Sequence, residues 1–256
     1  MQNNPHNDAS HYDATLATVQ AYHQAWKCRD VQAILALFHS DIEYHDFSLN
    51  QVFNAVSLPA YIQANMPKLG QEALIHTDRI RVDGDTAFIQ YELIMKGTSF
   101  RSSEAIKVAD GKVIRIHEYG VLVSNHHAGS TKPTSQNKLG LSARQLATLS
   151  QDIQQYFNEN KPFLNSELNL QTVADATGYS RNQISYLLNN VIGQSFYQFV
   201  HDARVNHLLS IIESKDSLPP FDQLAFDSGF NSTSVFYKHF KRVTGLSPKA
   251  YLKSRT

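Results

Sequence analysis

Two stretches in the second half of the sequence repeat one plan: a short apolar helix, a glycine, and a helix that begins with polar residues. The first is LQTVADATGYSRNQISYLLNNV and the second is FDQLAFDSGFNSTSVFYKHFKRV. Ala174 and Ala225 let the paired helices approach closely, and Gly178 and Gly229 supply the positive φ that a sharp turn requires. Each stretch therefore predicts a helix-turn-helix unit.

The second helix of each unit has one apolar and one polar face. Apolar residues at helical spacing are predicted to pack inward: Ile184, Leu187 and Leu188 in the first unit, and Val235, Phe236 and Phe240 in the second. Ser180, and Asn231 or Ser232, are suited to cap these two helices. A capped helix N-terminus with free backbone N–H groups attracts phosphate. The outward polar faces are therefore predicted to meet a phosphate-bearing partner.

The distance between the repeats adds a geometric constraint. The two turn glycines lie 51 positions apart, and the stretch VIGQSFYQFVHDARVNHLLSIIES between them is long enough for one connecting helix. A rigid helix of ~20 residues spans about 30 Å, and successive major-groove faces of B-DNA are ~34 Å apart. One chain can therefore place two helices in neighbouring grooves on one side of a duplex.

The end of the sequence is locally basic although the formal net charge of the whole chain is zero. From Ser228 onward there are six basic residues and no acidic residue. The six are Lys238, Lys241, Arg242, Lys249, Lys253 and Arg255. A cluster of this kind is expected of a surface that contacts phosphates.

Residues 141–254 resemble the AraC/XylS family of transcription regulators along that family's whole DNA-binding length. The resemblance rests on the pattern G-x-S-F-x-x-[FY]-[IV]-x-x-x-R-[VL], which begins at Gly193 and ends at Val205, and on the closing segment GFNSTSVFYKHFKRVTGLSPKAYL. The sequence departs from the family at His207, where a small residue is usual, and at Pro219 and Pro220, which open the second unit.

The resemblance implies double-stranded DNA as the partner and a major-groove role for the second helix of each unit. The residues expected to contact base edges are Arg181, Asn182, Ser185, Tyr186, Thr233, Ser234, Tyr237 and Lys238. The residues expected to contact phosphates are Gln183, Ser232, Lys241, Arg242 and Lys249.

Residues 124–140, SNHHAGSTKPTSQNKLG, separate the repeated units from the rest of the chain. The segment is rich in Ser, Asn, Gly and Thr without apolar periodicity, which is typical of a flexible linker. We therefore predict a first domain over residues 10–123 and an all-α DNA-binding domain over residues 141–256, in which a linker helix joins the two helix-turn-helix units. Two adjacent histidines in the linker, His126 and His127, lack a third ligand, and we predict neither a metal nor a cofactor.

The first domain mixes helical and alternating patterns. Residues 15–29, 31–39 and 58–66 have helical spacing of apolar side chains, whereas residues 42–47 alternate as a strand. Longer alternating stretches follow, and they are broken at Asp83-Gly84 and Asp110-Gly111, which are dipeptides typical of hairpin turns. The pattern predicts an α+β cone in which helices pack on one strongly curved antiparallel sheet.

Residues 19–123 resemble the ketosteroid-isomerase-like superfamily, also called SnoaL-like or nuclear-transport-factor-two-like, whose helices and curved sheet enclose a conical pocket. The stretches VQAYHQAWKCRDVQAILALFHSDIEYHDF and DGKVIRIHEY carry the resemblance. It implies that Tyr22, Asp46 and Glu104 coincide with the isomerase constellation. In that chemistry a carboxylate moves a proton α to a carbonyl while a tyrosine and a neutral carboxylic acid hold the enolate, so Asp46 would be the base.

Three roles are open for the first domain. The favoured one is a pocket for a small-molecule effector of unknown identity, lined by Tyr22, Trp26, Phe38, Asp46, Tyr61, Tyr91, Glu104 and Tyr119. The second is an isomerase or cyclase that acts on a carbonyl substrate. The third is a dimerisation domain with a filled interior, because members of the superfamily commonly dimerise across the sheet. We predict a ligand-responsive transcription regulator that is not an enzyme and forms homodimers through this domain.

Targeting signals are missing from the sequence. The N-terminal residues lack a basic start followed by an apolar run, so no signal peptide is predicted. No stretch approaches the ~20 uninterrupted apolar residues that cross a membrane. Cys28 is the only cysteine, which excludes an internal disulfide. These features predict a cytoplasmic protein without a membrane partner.

Overall fold

The structure is a computed structural model that describes residues 5–66, 68, 79–95, 98–124, 139–214 and 219–254. The chain divides into two compact units, Met1–Asp152 and Ile153–Thr256, which we call the first and second units. Residues 125–138, with His126 and His127 of the predicted linker, lie outside the described residues. The first unit includes residues 141–152, which the sequence analysis assigned to the DNA-binding domain.

The first unit begins with two helices and continues as a sheet with one inserted helix. The helices are α1 (Pro5–Lys27), α2 (Val31–Ala36) and α3 (Leu58–Asn65), and α4 (Ala143–Asn160) begins in this unit. The strands are β1 (Phe38–Asp46), β2 (Gln51–Phe53), β3 (Arg81–Asp83), β4 (Thr86–Met95), β5 (Thr98–Ala109) and β6 (Lys112–Ser124). Their order in the sheet is β2-β1-β6-β5-β4-β3.

The sheet is mixed rather than antiparallel, which corrects the sequence-based prediction. β1 and β6 pair in parallel, with Tyr44 opposite Ile116 and Asp46 opposite Glu118, whereas the other neighbouring strands are antiparallel. Phe38 was predicted to continue a helix, but α2 ends at Ala36 and Phe38 is the first residue of β1. The parallel pairing joins the first and last strands of the unit, so local alternation could not predict its direction.

The hairpin turns form where the sequence predicted them. Asp110 and Gly111 have φ values of 51° and 69°, which are both left-handed, as a two-residue turn of the favoured type requires. Gly84 in the β3–β4 turn has a φ of 58°. These turns fix the register of β3 with β4 and of β5 with β6.

Alternation along the strands gives the sheet a buried and an exposed face. Ile89, Ile106 and Ile116 on β4, β5 and β6 belong to one core cluster with Ile34 of α2 and Ile62 of α3. On the opposite face, large apolar side chains are exposed to solvent. They include Phe47, Phe88, Tyr119 and Val121. The buried face thus holds the interior of the cone, and the other face is available for contact.

The described part of the second unit is entirely helical, as predicted. After the end of α4 come a 3₁₀ turn (Pro162–Leu164), α5 (Leu170–Thr177), α6 (Arg181–Tyr186) and a π-helical turn (Leu187–Ile192). They are followed by α7 (Phe196–Ser214), α8 (Phe221–Asp227), α9 (Thr233–Thr244) and α10 (Pro248–Lys253). The 19 residues of α7 connect the two helix-turn-helix units and span about 28 Å.

Glycine is required at both turns for local reasons. Gly178 ends α5 with a φ of 71°, and Gly229 follows α8 with a φ of 87°. A Cβ atom at Gly229 would lie 2.3 Å from the carbonyl oxygen of Phe163, so the second turn also needs glycine for space. In the described chain, no helix combines the length and apolar character needed to cross a bilayer.

Candidate nucleic-acid interface and acidic network

The first helix-turn-helix unit presents the N-terminus of α6 to solvent. Ser180 caps this helix in a reciprocal arrangement: its Oγ accepts from the Gln183 backbone N–H at 3.2 Å, and its own N–H donates to Gln183 Oε1 at 2.9 Å. Arg181 and Asn182 are exposed in the first turn, whereas Ile184 is fully buried. The predicted inward and outward faces of α6 are therefore both present.

Two further base-contact candidates lie one turn along the same helix. Ser185 and Tyr186 are half-buried. The Ser185 Oγ accepts a hydrogen bond from Asn189 Nδ2 at 3.1 Å, so part of its hydrogen-bonding capacity is used within the helix. Arg181 and Asn182 are accordingly the more accessible pair.

The second helix-turn-helix unit likewise buries one face of α9 and exposes the other. Phe236 and Phe240 are fully buried, whereas Ser234, Tyr237 and Lys238 are exposed. Thr233 is half-buried at the first helical position. Ser232 stands at the N-cap position, but its side chain makes no capping hydrogen bond, in contrast to Ser180. The α9 N-terminus thus lacks the capping side-chain bond that closes the first turn of α6.

The predicted phosphate contacts fall into two groups. Lys241 and Lys249 are exposed. Arg242 instead forms an ion pair with Asp202 of α7, and Gln183 belongs to the capping arrangement of α6. Arg242 is exposed as well, but its guanidinium is engaged by Asp202, so Lys241 and Lys249 are the favoured candidates.

The linker helix α7 is anchored by a buried arginine. Arg204 is 4% exposed, and its Nε and Nη2 atoms donate to the carbonyl oxygens of Phe163 at 2.7 Å and Asn165 at 2.9 Å. Burial lowers the pKa of Arg204. His207, the departure from the family pattern, packs its ring 5.6 Å from that of Phe163. The histidine thus extends the contact between α7 and the 3₁₀ turn.

A histidine on α7 lies among positive charges. The ring of His201 stacks on Phe230 at 5.4 Å and lies 4.4 Å from the ring of His239. Burial, with the neighbouring charges of His239, Arg204 and Arg242, lowers the pKa of His201 to about 4. His201 is therefore neutral at physiological pH.

The interior of the first unit contains a buried hydrogen-bonded network. Tyr44 Oη donates to Glu118 Oε2 at 2.6 Å, and Tyr61 Oη donates to Asp46 Oδ2 at 2.7 Å. Asp46 Oδ1 also accepts from the N–H and Oγ of Ser48, at 2.8 and 2.6 Å. Both carboxylates are 1% exposed. Because charged groups are rarely buried without partners, this network is a candidate site.

Arg144 of α4 supplies the positive charge of this site. It is 1% exposed; its Nε atom donates to Glu118 Oε1 at 2.9 Å, and its Nη2 atom donates to Glu104 Oε1. Its Cζ atom lies 4.7 Å from the ring centre of Trp26 and 5.6 Å from that of Tyr91. We call Asp46, Glu104, Glu118 and Arg144 the acidic network: Glu104 and Glu118 contact the guanidinium, and Tyr61 links Asp46 to Glu118.

Burial and neighbouring charges shift the ionisation of this network. Burial raises the pKa of Glu104 to about 7, with Arg144 opposing and Glu118 reinforcing the shift. Burial alone would lower the pKa of Arg144, but Glu118 and the other acidic groups raise it above its ordinary value. The guanidinium is therefore permanently charged, and Glu104 is the carboxyl group most ready to take up a proton.

The segment that carries Arg144 is itself docked in the first unit. In residues 141–152, which we call the docked segment, Ser142 Oγ donates to Asn65 Oδ1 at 2.9 Å and the Ala143 N–H donates to Ser48 Oγ at 3.3 Å. Gly120 of β6 makes room, because a Cβ atom there would lie 3.3 Å from the Cβ of Ala143. The docked segment thus closes over the acidic network.

Most of the predicted pocket residues lie in this interior. Tyr22, Trp26, Tyr61 and Tyr91 are at most 6% exposed. Phe38 is half-buried and packs 6.0 Å from the ring of Tyr22. Burial and the nearby charge of Glu104 raise the pKa of Tyr22 and Tyr91. The isomerase-like trio of Tyr22, Asp46 and Glu104 is therefore inside the cone.

Tyr119 was wrongly predicted to line the pocket. Its side chain is 52% exposed on the outer face of the sheet and stacks on Phe47 with ring centres 4.4 Å apart. Its neighbour Glu118 points inward instead, because adjacent residues of a strand face opposite sides. The prediction thus chose the wrong one of two adjacent residues: it took the aromatic residue, which faces outward, and missed the carboxylate, which is buried.

The sequence analysis also missed Tyr44 and Arg144. Tyr44 alternates with Ile42 and Asp46 along β1, all of which are buried, so its parity was a usable signal. Arg144 had no such signal, because an arginine in the first turn of an amphipathic helix ordinarily points to solvent. Its carboxylate partners lie 26 and 40 positions earlier in the sequence.

Comparisons with known families agree with these two architectures. Residues 19–116 match the family model of the SnoaL-like domain, and residues 173–254 match that of the helix-turn-helix domain. The chain thus joins a SnoaL-like domain to a helix-turn-helix domain. The helix-turn-helix match lies within residues 141–254, which the sequence analysis found to resemble the AraC/XylS family.

Curated relatives of the chain include regulatory proteins. The melibiose operon regulatory protein of Escherichia coli K12 is 23% identical over 144 residues, which are 55% of this chain and 46% of that protein. The regulatory protein SoxS of Salmonella typhimurium is 26% identical over 88 residues, 34% of this chain and 80% of that protein. This chain therefore spans less than half the length of the melibiose regulator.

Part of the chain is also similar to solved structures. An NTF-2-like protein of unknown function from Burkholderia xenovorans LB400 is 18% identical, with a TM-score of 0.37; the match covers 43% of this chain and 84% of that one.

Proposed function

We propose that the protein is a sequence-specific DNA-binding transcription regulator whose first unit responds to a small molecule. The observation that carries the proposal is the repeated turn in the second unit: α6 and α9 each bury one face and expose polar side chains, such as Asn182 and Lys238, on the other. The 19-residue helix α7 between them has a length suited to neighbouring major grooves.

Base reading is assigned to the exposed polar residues of the two helices. Arg181 and Asn182 of α6, with Ser234 and Lys238 of α9, are the leading candidates for hydrogen bonds to base edges. Lys241 and Lys249 contact phosphates and so set affinity without sequence preference. Arg242 has a structural role at Asp202 of α7, in accordance with its ion pair.

Selection of bound fragments from random duplex DNA tests this proposal with the full chain. The selected sequence should contain two conserved blocks about one helical turn apart. Asn182→Ala and Lys238→Ala should each relax preference at one position by about 1–3 kcal/mol, whereas Lys241→Ala should weaken binding to all sequences and flatten its salt dependence. Lys107→Ala, an exposed lysine of the first unit, is the control. Recovery of no preferred sequence would contradict the proposal.

The response to a small molecule is assigned to the interior of the first unit. The support is the group of buried aromatic and charged residues around Trp26 and Arg144, which offers both apolar surface and specific polar groups. A ligand changes DNA affinity only if it binds one arrangement of the protein better than another. An effector at a hundredfold excess over its Kd would stabilise the protein by about 2.7 kcal/mol. Thermal unfolding of the full chain against a metabolite library measures this effect.

Isomerase chemistry is the weaker alternative. The proposed base, Asp46, already accepts hydrogen bonds from Ser48, Leu49 and Tyr61, so both of its carboxylate oxygens are engaged within the protein. Glu104, the proposed neutral donor, is paired with Arg144. We therefore infer that these residues orient a ligand rather than catalyse a reaction. If this inference is right, the Asp46→Asn variant should still show effector-dependent DNA binding.

A homodimer is proposed through the outer face of the sheet. The stacked rings of Phe47 and Tyr119 and the exposed Val121 form an apolar surface on β1 and β6 that a second copy can cover symmetrically. Sedimentation of the full chain tests the dimer. Tyr119→Glu together with Val121→Lys should yield monomers, while Lys112→Glu at the far end of β6 should not.

A further inference from the structure

The guanidinium of Arg144 is bound in the way a protein binds a ligand. Two nitrogens of this planar cation donate to two carboxylates, Nε to Glu118 and Nη2 to Glu104. Aromatic rings lie near its Cζ atom, at 4.7 Å for Trp26 and 5.6 Å for Tyr91. Forked hydrogen bonds and aromatic contacts together recognise a planar delocalised cation better than an ammonium group.

The charge around this guanidinium favours a cation and disfavours other ligands. Glu104 and Glu118 contact it directly, and Asp46 is connected to Glu118 through Tyr61, whose Oη lies 2.7 and 3.3 Å from the two carboxylates. Among the described residues of the network, Arg144 carries the only positive charge. If Arg144 left, buried carboxylates would remain without a counter-charge, which costs several kcal/mol. A neutral or anionic ligand could not replace it without that penalty.

Arg144 belongs to a segment that packs Ala143 and Ala147 against Phe100 of β5 and makes side-chain hydrogen bonds at the end of α3. Ser142 Oγ donates to Asn65 Oδ1, Thr148 Oγ1 donates to the Asn65 carbonyl oxygen at 3.4 Å, and Gln145 Nε2 donates to the Ala64 carbonyl oxygen at 3.4 Å. Neutral hydrogen bonds of this kind contribute only about 1 kcal/mol each. The bond of the guanidinium with its carboxylates is therefore the strongest single attachment of the docked segment.

We propose that the interior of the first unit is a binding site for a guanidinium or amidinium compound, and that Arg144 occupies this site in the absence of that compound. This inference rests on the proposed effector role of the first unit and names the chemical class of the effector. A bound effector takes the positions of the Arg144 nitrogens between Glu104 and Glu118. The docked segment then loses its strongest attachment to the first unit, and α4 is freed at its N-terminus.

Tethering explains why an effector needs more than its cationic group. A group attached to the same chain has an effective concentration in the millimolar range or above, so a small free guanidinium competes poorly with Arg144. The site is therefore best probed after the arginine side chain has been removed. Arg144→Ala vacates the guanidinium position and keeps both carboxylates.

The test is a titration of the full-length Arg144→Ala variant with ethylguanidinium chloride. Ethylurea, a neutral analogue of the same shape, and ethylammonium chloride are compared at equal concentration and ionic strength. Trp26, the only tryptophan of the chain, reports binding and the urea midpoint by its fluorescence. We expect ethylguanidinium at tenfold excess over its Kd to raise the folding constant about elevenfold. Ethylammonium should raise it less, and ethylurea should leave it unchanged.

Matched variants decide whether the carboxylates are responsible. Adding Glu104→Gln and Glu118→Gln to Arg144→Ala retains the space but removes the charges, so the response to ethylguanidinium should vanish. Wild-type protein should not respond at these concentrations because Arg144 fills the site. Equal responses to ethylurea and ethylguanidinium, or a response that survives both glutamine substitutions, would overturn the proposal and leave Arg144 as a purely structural ion pair.

Two further measurements keep the conclusions separate. If Arg144→Ala is too unstable to titrate, Arg144→Gln retains much of the side chain and takes the same titration. Binding of wild-type protein to its selected DNA is measured independently. If wild-type protein binds DNA but ethylguanidinium does not stabilise the Arg144→Ala variant, only the cation site is rejected. If ethylguanidinium stabilises the variant but wild-type protein does not bind DNA, only the regulator proposal is rejected.

Discussion

The two units each bury one arginine, but they satisfy it with different partners. Arg144 in the first unit is 1% exposed and donates to the carboxylates of Glu104 and Glu118. Arg204 in the second unit is 4% exposed and donates to the backbone carbonyl oxygens of Phe163 and Asn165. Their pKa values accordingly move in opposite directions: nearby carboxylates raise that of Arg144, and burial lowers that of Arg204.

The difference separates a replaceable contact from a structural one. Carboxylates on a rigid sheet keep their positions when their partner leaves, and they accept any cation of suitable shape. Backbone carbonyl oxygens belong to a turn whose own conformation depends on the arginine. Arg204 therefore ties the 3₁₀ turn Pro162–Leu164 to the linker helix α7, whereas Arg144 is bound by carboxylates that, in our proposal, a free cation can also reach.

The largest expected effect is that of Arg144→Ala, which leaves Glu104 and Glu118 buried without a counter-charge. We expect a loss of about 3–5 kcal/mol in the free energy of unfolding at pH 8. Urea unfolding followed by Trp26 fluorescence measures it. Arg115→Ala, which removes an exposed ion pair with Glu43, should cost less than about 1 kcal/mol. If Arg144→Ala costs no more than Arg115→Ala, the proposed difference between Arg144 and Arg204 is wrong.

Arg204→Ala should have the next largest effect, a loss of about 2–3 kcal/mol, because two carbonyl oxygens lose their donors. Amide hydrogen exchange in α7 measures it, since the second unit has no tryptophan. The loss should be the same at pH 7.5 and pH 8.5, because carbonyl groups do not titrate and His201, whose pKa is about 4, stays neutral over this range. Arg204→Lys should recover less than half of it, since a single ammonium cannot reproduce the fork. A strong pH dependence would contradict the comparison.

The third prediction concerns the pH dependence of the first unit, whose effect per pH unit is smaller than either arginine loss. The pKa of Glu104 is raised from 4.5 to about 7 in the folded protein, where it faces Arg144, Glu118, Tyr22 and Tyr91. The folded state therefore binds the extra proton, and the stabilisation, complete below pH 4.5, is lost as the pH rises through about 7. The slope should reach at most ~1.4 kcal/mol per pH unit. Urea unfolding of the wild-type protein and of Glu104→Gln at a series of pH values measures this slope. If the free energy of unfolding of the variant changes with pH as steeply as that of the wild type, Glu104 is not the responsible group.

The second unit should show the smallest effect, with the opposite sign. The pKa of His201 is lowered from 6.5 to about 4 by burial and by the charges of His239, Arg204 and Arg242. The unfolded state therefore binds a proton first, so the stabilisation is present above pH 6.5 and is lost as the pH falls through about 4. Hydrogen exchange in α7 and α9 between pH 7 and pH 4.5 measures it, corrected for the intrinsic exchange rate. His201→Phe keeps the ring contact with Phe230 and should weaken the dependence.

Local conformations could be predicted from the sequence because their causes lie within a few residues. Gly178 and Gly229 adopt the positive φ expected of the repeated turns, and Asp110 with Gly111 forms the expected hairpin turn. Ser180 caps α6 as expected, but Ser232 does not cap α9 with its side chain. The same local reasoning placed the buried and exposed faces of α6 and α9.

The sequence by itself thus determined the repeated helices, their spacing and several of the aromatic residues in the cone interior. Only the tertiary structure decided the parallel pairing of β1 with β6, the inward position of Glu118 and the burial of Arg144. These features depend on contacts between residues far apart in the chain, and an arginine on a helix has the same local pattern whether it meets water or a carboxylate. The acidic network forms because folding brings Glu104 and Glu118 within hydrogen-bonding distance of Arg144. A short stretch of sequence cannot predict that distance, because the partners lie 26 and 40 positions from Arg144.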